Sequence, residues 1–231
     1  MGEPRNVFIA GGSGYLGRPL IADLLQRGHQ VRALVREGSQ KKLPPGCSAV
    51  LGNALDSGSY AAQISPSDTF VQLVGVPHPS PAKAAQFRSI DLVSASGAIR
   101  AAAGAGIGHF VYLSVAHPAP MMKAYIQVRS ECEELIRQTG INATILRPWY
   151  VLGPGHRWPY ALIPMYWLME QFPATRAGAL RLGLVTLAQM RSALVNAIEN
   201  PCHGIRIVEV PQIREAAAAQ SAALPAKIRV V

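Results

Sequence analysis

The sequence predicts a doubly wound parallel α/β fold closed by a small C-terminal cap, forming one domain over residues 1–231. Three observations predict it. Short apolar runs alternate with helix-length segments along the first two thirds of the chain. Those runs are apolar nearly throughout rather than at every second residue, as strands covered on both faces are. A cluster of glycines follows the first run directly, where a strand must turn tightly into a helix.

Asn6–Ala10 (NVFIA) reads as the first strand, and the glycines after it open a helix over Leu16–Arg27. His29–Arg36 and Ser48–Gly52 read as the second and third strands, and Thr69–Val76 as the fourth. The Ala-rich stretch Ala82–Ala103 reads as one long helix. His109–Ala116 is the fifth strand, Ala124–Gln138 a helix, and Asn142–Val151 the sixth strand. Right-handed crossovers order these strands 3-2-1-4-5-6, with a crevice where the winding reverses. The core so defined covers residues 5–152. From residue 153 the texture changes: Gly153-Pro154-Gly155 breaks the alternation, and the nearly uncharged segment Trp158–Phe172 follows. Leu182–Thr186 reads as a short strand, Ala188–Glu199 as a helix and Ile205–Val210 as another strand, all within a cap of residues 153–231.

With 49% apolar and 15% charged residues over 231 positions, the chain can bury a sizeable core and is not disordered. Its formal net charge of +9 asks for an anionic partner. The basic residues form no consecutive block and no aromatic-basic pattern, which argues against nucleic acid and for a phosphate-bearing small molecule or an anionic surface. Cys47, Cys132 and Cys202 are widely spaced and offer neither a disulfide framework nor a zinc pair, as in a reducing cytoplasm. No leader pattern opens the sequence, and no apolar stretch approaches the ~18 residues of a membrane span. A cytoplasmic protein, peripheral to a membrane at most, is therefore expected; the oligomeric state is left open.

Gly11, Gly12, Ser13, Gly14, Tyr15, Leu16 and Gly17 form a turn in which Gly12, Gly14 and Gly17 satisfy G-x-G-x-x-G. Placed between a strand and a helix, this pattern lets backbone approach a pyrophosphate and aims free N–H groups at it. A dinucleotide cofactor is the expected ligand. An acidic residue about 20 positions later would take the ribose hydroxyls of NAD. Here the second strand ends in Arg36, with Arg32, Ser39, Lys41 and Lys42 nearby. A guanidinium pairs with a 2′-phosphate where a carboxylate would repel it, so NADP(H) is expected over NAD(H), with Glu37 the opposing feature.

The runs VFIAGGSGYLGRPL, VRALVR, HFVYLS and AYIQVRSECEELIRQTGINATILRPWYVLGPG resemble the atypical and extended short-chain dehydrogenase/reductases. Within these the sequence looks closest to the NmrA-like and complex I accessory-subunit-like branches. The resemblance covers about residues 5–156 and, more weakly, Leu182–Val210. It implies a nicotinamide site at the C-terminal ends of the strands, with Asn53, Ala54 and Asp56 near the adenine. Asn53 stands where the family more often has Asp. Gly75 and Pro148, at the ends of the fourth and sixth strands, complete the expected cofactor-binding set.

The family's catalytic signature is a Ser after the fifth strand and Tyr-x-x-x-Lys on the next helix. Ser114 and Tyr125 fill the first two places, but Arg129 stands in the third. A spacing of four puts Tyr125 and Arg129 on one helical face, where a cation helps a phenol exchange its proton near neutrality. Arginine supplies the charge without lysine's compact ammonium. Arg129 is equally placed to pair with Glu133, and Lys123 is a second cation beside the tyrosine.

His78, His117 and His156 follow the fourth, fifth and sixth strands and should overhang one crevice, as substrate contacts or proton carriers. No metal-ligand spacing accompanies them, and no metal is expected. The segment 158–172 reads equally as an apolar substrate pocket, a contact with a partner or membrane surface, or ordinary core. Two functions follow. One is an NADP(H)-dependent oxidoreductase or isomerase acting on a small, rather apolar carbonyl or alcohol. The other is a non-catalytic NADP(H)-binding sensor or structural subunit.

Overall fold

A computed structural model describes residues 3–154 and 161–223, the last helix by its backbone alone from residue 217. The strands are β1 (Asn6–Ala10), β2 (Gln30–Val35), β3 (Ser48–Leu51), β4 (Thr69–Gln72), β5 (His109–Leu113) and β6 (Ala143–Arg147). The helices between them are α1 (Gly17–Gln26), the run α2 (Ala84–Gln86) and α3 (Val93–Gly104), and α4 (Lys123–Thr139). After β6 come β7 (Tyr150–Leu152), α5 (Ile163–Gln171), α6 (Pro173–Arg181), β8 (Leu184–Thr186), α7 (Leu187–Glu199), β9 (Ile205–Glu209) and α8 (Val210–Ala223).

Seven strands form one parallel sheet in the order β3-β2-β1-β4-β5-β6-β9. The order 3-2-1-4-5-6 expected from the sequence is present, and β4 lies beside β1. Successive side chains of β1 show why both faces must be covered. Phe8 and Ala10 enter one core with α3 and α4, whereas Val7 and Ile9 enter the other with α1 and α7. Phe8, Phe70 and Phe110 stack across three neighbouring strands at 5.1 and 5.4 Å between ring centres. Burying such rings is the largest apolar contribution on that face.

Three differences from the sequence expectation bear on the site. Ile205–Glu209, expected within the cap, is the seventh strand of the main sheet, pairing with β6 from Ala143↔Ile205 to Arg147↔Glu209. An exposed β6 edge would leave a row of unpaired backbone groups, and β9 removes it. The helix expected over Ala82–Ala103 is not uniform: Phe87–Leu92 is a π-helical stretch between α2 and α3. The sixth strand is likewise divided. Pro148 has no N–H to give a ladder, and the chain restarts as β7, which pairs in parallel with β8 as a separate two-stranded sheet.

Candidate functional site

The glycine turn depends on close backbone approach. Gly11 has φ +91°, and its carbonyl accepts the Gly14 N–H at 3.0 Å. A Cβ on Gly17 would overlap the backbone of Gly11 and Gly12, and one on Gly12 would lie 2.7 Å from the Ala33 Cβ. Helix α1 then begins after Leu16 with no side-chain cap and no acidic residue in its first turn. In that turn Arg18 N–H bonds the Gly14 carbonyl at 3.2 Å and Pro19 has no N–H, so the positive end of the dipole and the backbone of the glycine turn face an anion. Tyr15 leans toward the cap, where its hydroxyl occupies the space a side chain at Gly153 would need. Ser13 is half-buried in the turn.

Arg36 follows β2 directly, exposed and outside any ion pair among the described residues, with Glu37 exposed beside it. Exposed Asn53 follows β3 and fixes a turn: its Oδ1 accepts the Leu55 N–H at 3.0 Å, and its own N–H reaches Ser59 Oγ at 2.9 Å. Ala54 is half-buried in this turn. Asp56 caps the short helix that follows by accepting the Gly58 N–H at 3.0 Å.

The loops after β1 and β4 touch, since a Cβ on Gly11 would lie 3.0 Å from the Leu73 carbonyl carbon. Two residues on, Gly75 lies against a buried ion pair, its hypothetical Cβ 2.5 Å from Arg129 Nη2 and 3.0 Å from Asp91 Oδ1. Arg129 bonds Asp91 Oδ1 at 2.5 Å, the Leu113 carbonyl at 2.8 Å and the Tyr112 hydroxyl at 3.3 Å. Asp91 in turn accepts the Val76 N–H at 3.0 Å. It lies in the π-helical stretch, whose extra residue per turn alters the direction of the side chain. The guanidinium, 5% exposed, also lies 5.0 Å from the centre of the Tyr125 ring. Burial opposes its charge, but Tyr125, Tyr112 and Asp91 outweigh that and hold it more firmly protonated than an ordinary arginine. The partner of Arg129 is therefore Asp91 and not Glu133. Tyr125 itself is half-buried on the first turn of α4 and packs on Phe87 at 4.9 Å.

Glu133 serves a second charge centre. Ser114 Oγ donates to its Oε1 at 2.6 Å, and Arg147 Nε donates to the same oxygen at 3.0 Å. Arg147 Nη2 and Arg137 reach Oε2, and Arg147 Nη1 continues to Glu209 of β9 at 3.0 Å. His117 Nε2 approaches Oε1 at 3.4 Å, its side chain 22% exposed. Burial of Glu133, 1% exposed, pushes its pKa up, but the hydrogen bonds from Arg147 and Ser114 and the nearby charges bring it below the usual carboxylate range. The Ser114 proton is thus given to a carboxylate, leaving the hydroxyl oxygen free to accept.

Of the other expected positions, Pro148 is buried, and its carbonyl accepts the Ala116 N–H at 2.9 Å, tying the loops after β5 and β6 together. Lys123 is exposed at the start of α4. His78 has φ 50°, and its carbonyl accepts from Lys83 Nζ at 3.0 Å. His156 and the start of the apolar segment, up to Tyr160, lie outside the described residues. Among the described residues no group of His, Cys, Asp and Glu is arranged to hold a metal ion. No described helix is long and apolar enough to cross a membrane.

Sequence reasoning missed Asp91, and it paired Glu133 with Arg129 instead of with Ser114 and Arg147. Asp91 had a signal, as the lone carboxylate of the apolar helix Ala82–Ala103. The true partners of Glu133 had none, because Ser114 and Arg147 lie on other elements, 19 and 14 positions away.

Comparison with known proteins identifies the family. Residues 11–158 match the NAD(P)H-binding family. Over 168 residues the chain is 27% identical to 4-hydroxy-2-methyl-3-oxo-4-farnesyl-3,4-dihydroquinoline-1-oxide ketoreductase of Stigmatella aurantiaca, covering 63% of this chain and 50% of that protein. It is 29% identical over 175 residues to 3-diazoavenalumate denitrifying reductase of a Streptomyces species, covering 64% and 57%. The chain thus spans about half the length of these curated relatives. Among solved structures, the Bordetella bronchiseptica enzyme WbmH in complex with NAD+ superposes with a TM-score of 0.67 at 21% identity, covering 97% of this chain and 84% of that one. That likeness shows the fold. The glycine turn, the parallel sheet and the match over most of the core together place this chain in the NAD(P)H-binding family, with a nicotinamide dinucleotide as its cofactor.

Proposed function

We propose that the protein is an NADP(H)-dependent oxidoreductase of the atypical short-chain type, acting on a carbonyl or alcohol of an apolar small molecule. The observation that carries this is Tyr125, a phenol on the first turn of α4 with a buried guanidinium 5.0 Å from its ring, contiguous through Gly75 and Leu73 with the glycine turn. The names of the two relatives, a ketoreductase and a reductase, support a reductive reaction, and the first acts on a farnesylated substrate.

In this reading the backbone of the glycine turn and the positive end of α1 hold the pyrophosphate, and Arg36 receives the 2′-phosphate. The cofactor supplies or accepts the hydride. Tyr125 exchanges a proton with the substrate oxygen, and the fixed charge of Arg129 stabilises the tyrosinate that results. Ser114, which donates to Glu133, holds a substrate alcohol by accepting from it, so the role of this serine is orientation. Trp149 and Tyr150 supply apolar surface just beyond β6, packed edge to face at 5.7 Å.

A panel of apolar ketones and aldehydes with NADPH, followed by loss of reduced-cofactor absorbance, should find turnover. Tyr125→Phe should lower it by about 100-fold or more while leaving NADPH affinity within a factor of two. A specific observation favours the other reading, a cofactor-binding sensor or structural subunit: three of the groups around Arg129 already use its hydrogen bonds. Tight NADPH binding without turnover of any panel member would decide for that reading.

A further inference from the structure

Among the described helices the most apolar, α5, has no buried residue. Along α5, Ile163, Met165, Trp167 and Leu168 are all between 44% and 64% exposed, and Phe172 beyond it is 56% exposed. Together they present on the order of 500 Å² of apolar surface, at the upper end for a protein that stays unpartnered. Glu170, the one acid of α5, is neutralised by Arg214 of α8 at 3.1 Å. The helix is anchored to the body by this pair.

At the strand-end face of the molecule exposed cations outnumber exposed acids, although Glu37 and Asp56 are exposed there too. The C-terminal ends of parallel strands share one end of the sheet, and exposed cations gather there. Arg18 lies in the first turn of α1, Arg36 follows β2, Lys41 and Lys42 lie in the next turn, Lys123 opens α4, and Arg176 stands on α6. None of them is in an ion pair among the described residues.

We propose that this end of the molecule docks on an anionic lipid surface, with α5 seated among the headgroups and the cations around it facing lipid phosphates. Trp167 and Tyr166 suit that depth, each joining an apolar ring to a hydrogen-bonding group. The alternatives fit less well. A second copy on the same face would bring this cationic end against itself. A protein partner would need acidic groups matched one by one to this cationic rim, whereas an anionic lipid surface presents phosphate everywhere along it. Apolar contact and surface charge add, as in other peripheral membrane binders. The docking does not depend on whether Tyr125 turns over a substrate. It does turn the cofactor crevice toward the bilayer.

The test uses the full chain saturated with NADPH, so that the phosphate site is filled before any vesicle is added. Sedimentation with vesicles of phosphatidylcholine containing about one third phosphatidylglycerol should show binding at least ten-fold tighter than with phosphatidylcholine alone. Raising salt from about 50 to about 500 mM should weaken it several-fold. Tryptophan emission should shift to the blue on binding, and Trp167→Phe should remove most of the shift. Trp167→Glu with Leu168→Glu should lower binding ten-fold or more at unchanged melting temperature and NADPH affinity, since neither side chain is buried. Arg176→Glu should lower it about five-fold. Equal binding to neutral and anionic vesicles, or no binding to either, would overturn the proposal. So would a dimer that the double substitution dissociates.

Discussion

The two halves of the sheet hold their sites by different physics. In the β1–α1–β2 half the site is backbone: a turn made possible by missing side chains at Gly12 and Gly17, and a helix end left uncapped. In the β4–β5–β6 half it is side-chain charge: the Asp91–Arg129 pair under Gly75, and Glu133 shared by Ser114, Arg147, Arg137 and His117. A backbone site tolerates no added atom but needs no distant partner. A buried charge site tolerates modest changes of shape but fails as a whole when one partner is removed. The difference teaches where each half is vulnerable, and substitutions can break or sharpen it.

The largest effect is expected at Glu133. Glu133→Ala leaves Arg147 buried without its main counter-charge, and should cost about 3–5 kcal/mol of stability in urea unfolding. Its pH signature is specific. The pKa of Glu133 is held below its unfolded value, so its contribution is complete above about pH 4.3 and is lost as pH falls through the lower folded value. His109 acts in the same direction. Burial, with Arg206 and Arg5 nearby, lowers its pKa to about 4, so its contribution is present above about pH 6.5 and declines as pH falls toward that value. Melting temperatures from pH 7 to pH 3 should therefore fall throughout, and Glu133→Gln should flatten the lower part of that fall. An unchanged acid limb in Glu133→Gln would mean that the Glu133 centre contributes nothing in solution.

Gly17→Ala should come next. The added methyl has no room against Gly11 and Gly12, so the turn must open. Stability should drop by about 1–3 kcal/mol, and cofactor affinity should fall by a larger factor than that loss alone implies, because the turn is itself the binding surface. Calorimetric titration with NADPH checks it. Affinity within a factor of three of wild type would show that the turn is not the phosphate cradle.

The smallest effect distinguishes the two nicotinamide cofactors. Arg36→Asp should remove a preference for NADPH of about ten-fold, equivalent to about 1.4 kcal/mol, with no change in melting temperature since the residue is exposed. Identical NADPH and NADH titrations in the unmodified protein would show that Arg36 is only a solvated end of β2.

What could be read directly from the chain were the features that neighbours in sequence decide. Apolar runs of strand length, the glycine spacing and the cation after β2 all report on groups within a few residues of one another. The sheet order and the phosphate turn follow from them. Pairings across the molecule could not be read in the same way. The sequence offered Glu133 as a partner for Arg129, and the fold gave it Asp91, 38 positions away along the chain. It placed Ile205–Glu209 in the cap, and the need to cover the edge of β6 drew that strand into the main sheet. It left 158–172 open among pocket, interface and core, and the packing left α5 without a buried residue. Periodicity and turn chemistry are local, so the sequence alone determined the elements and the cofactor loop. The choice of partner for a buried charge depends on which chains of similar chemistry the fold brings within 3 Å, and only the tertiary structure decided that.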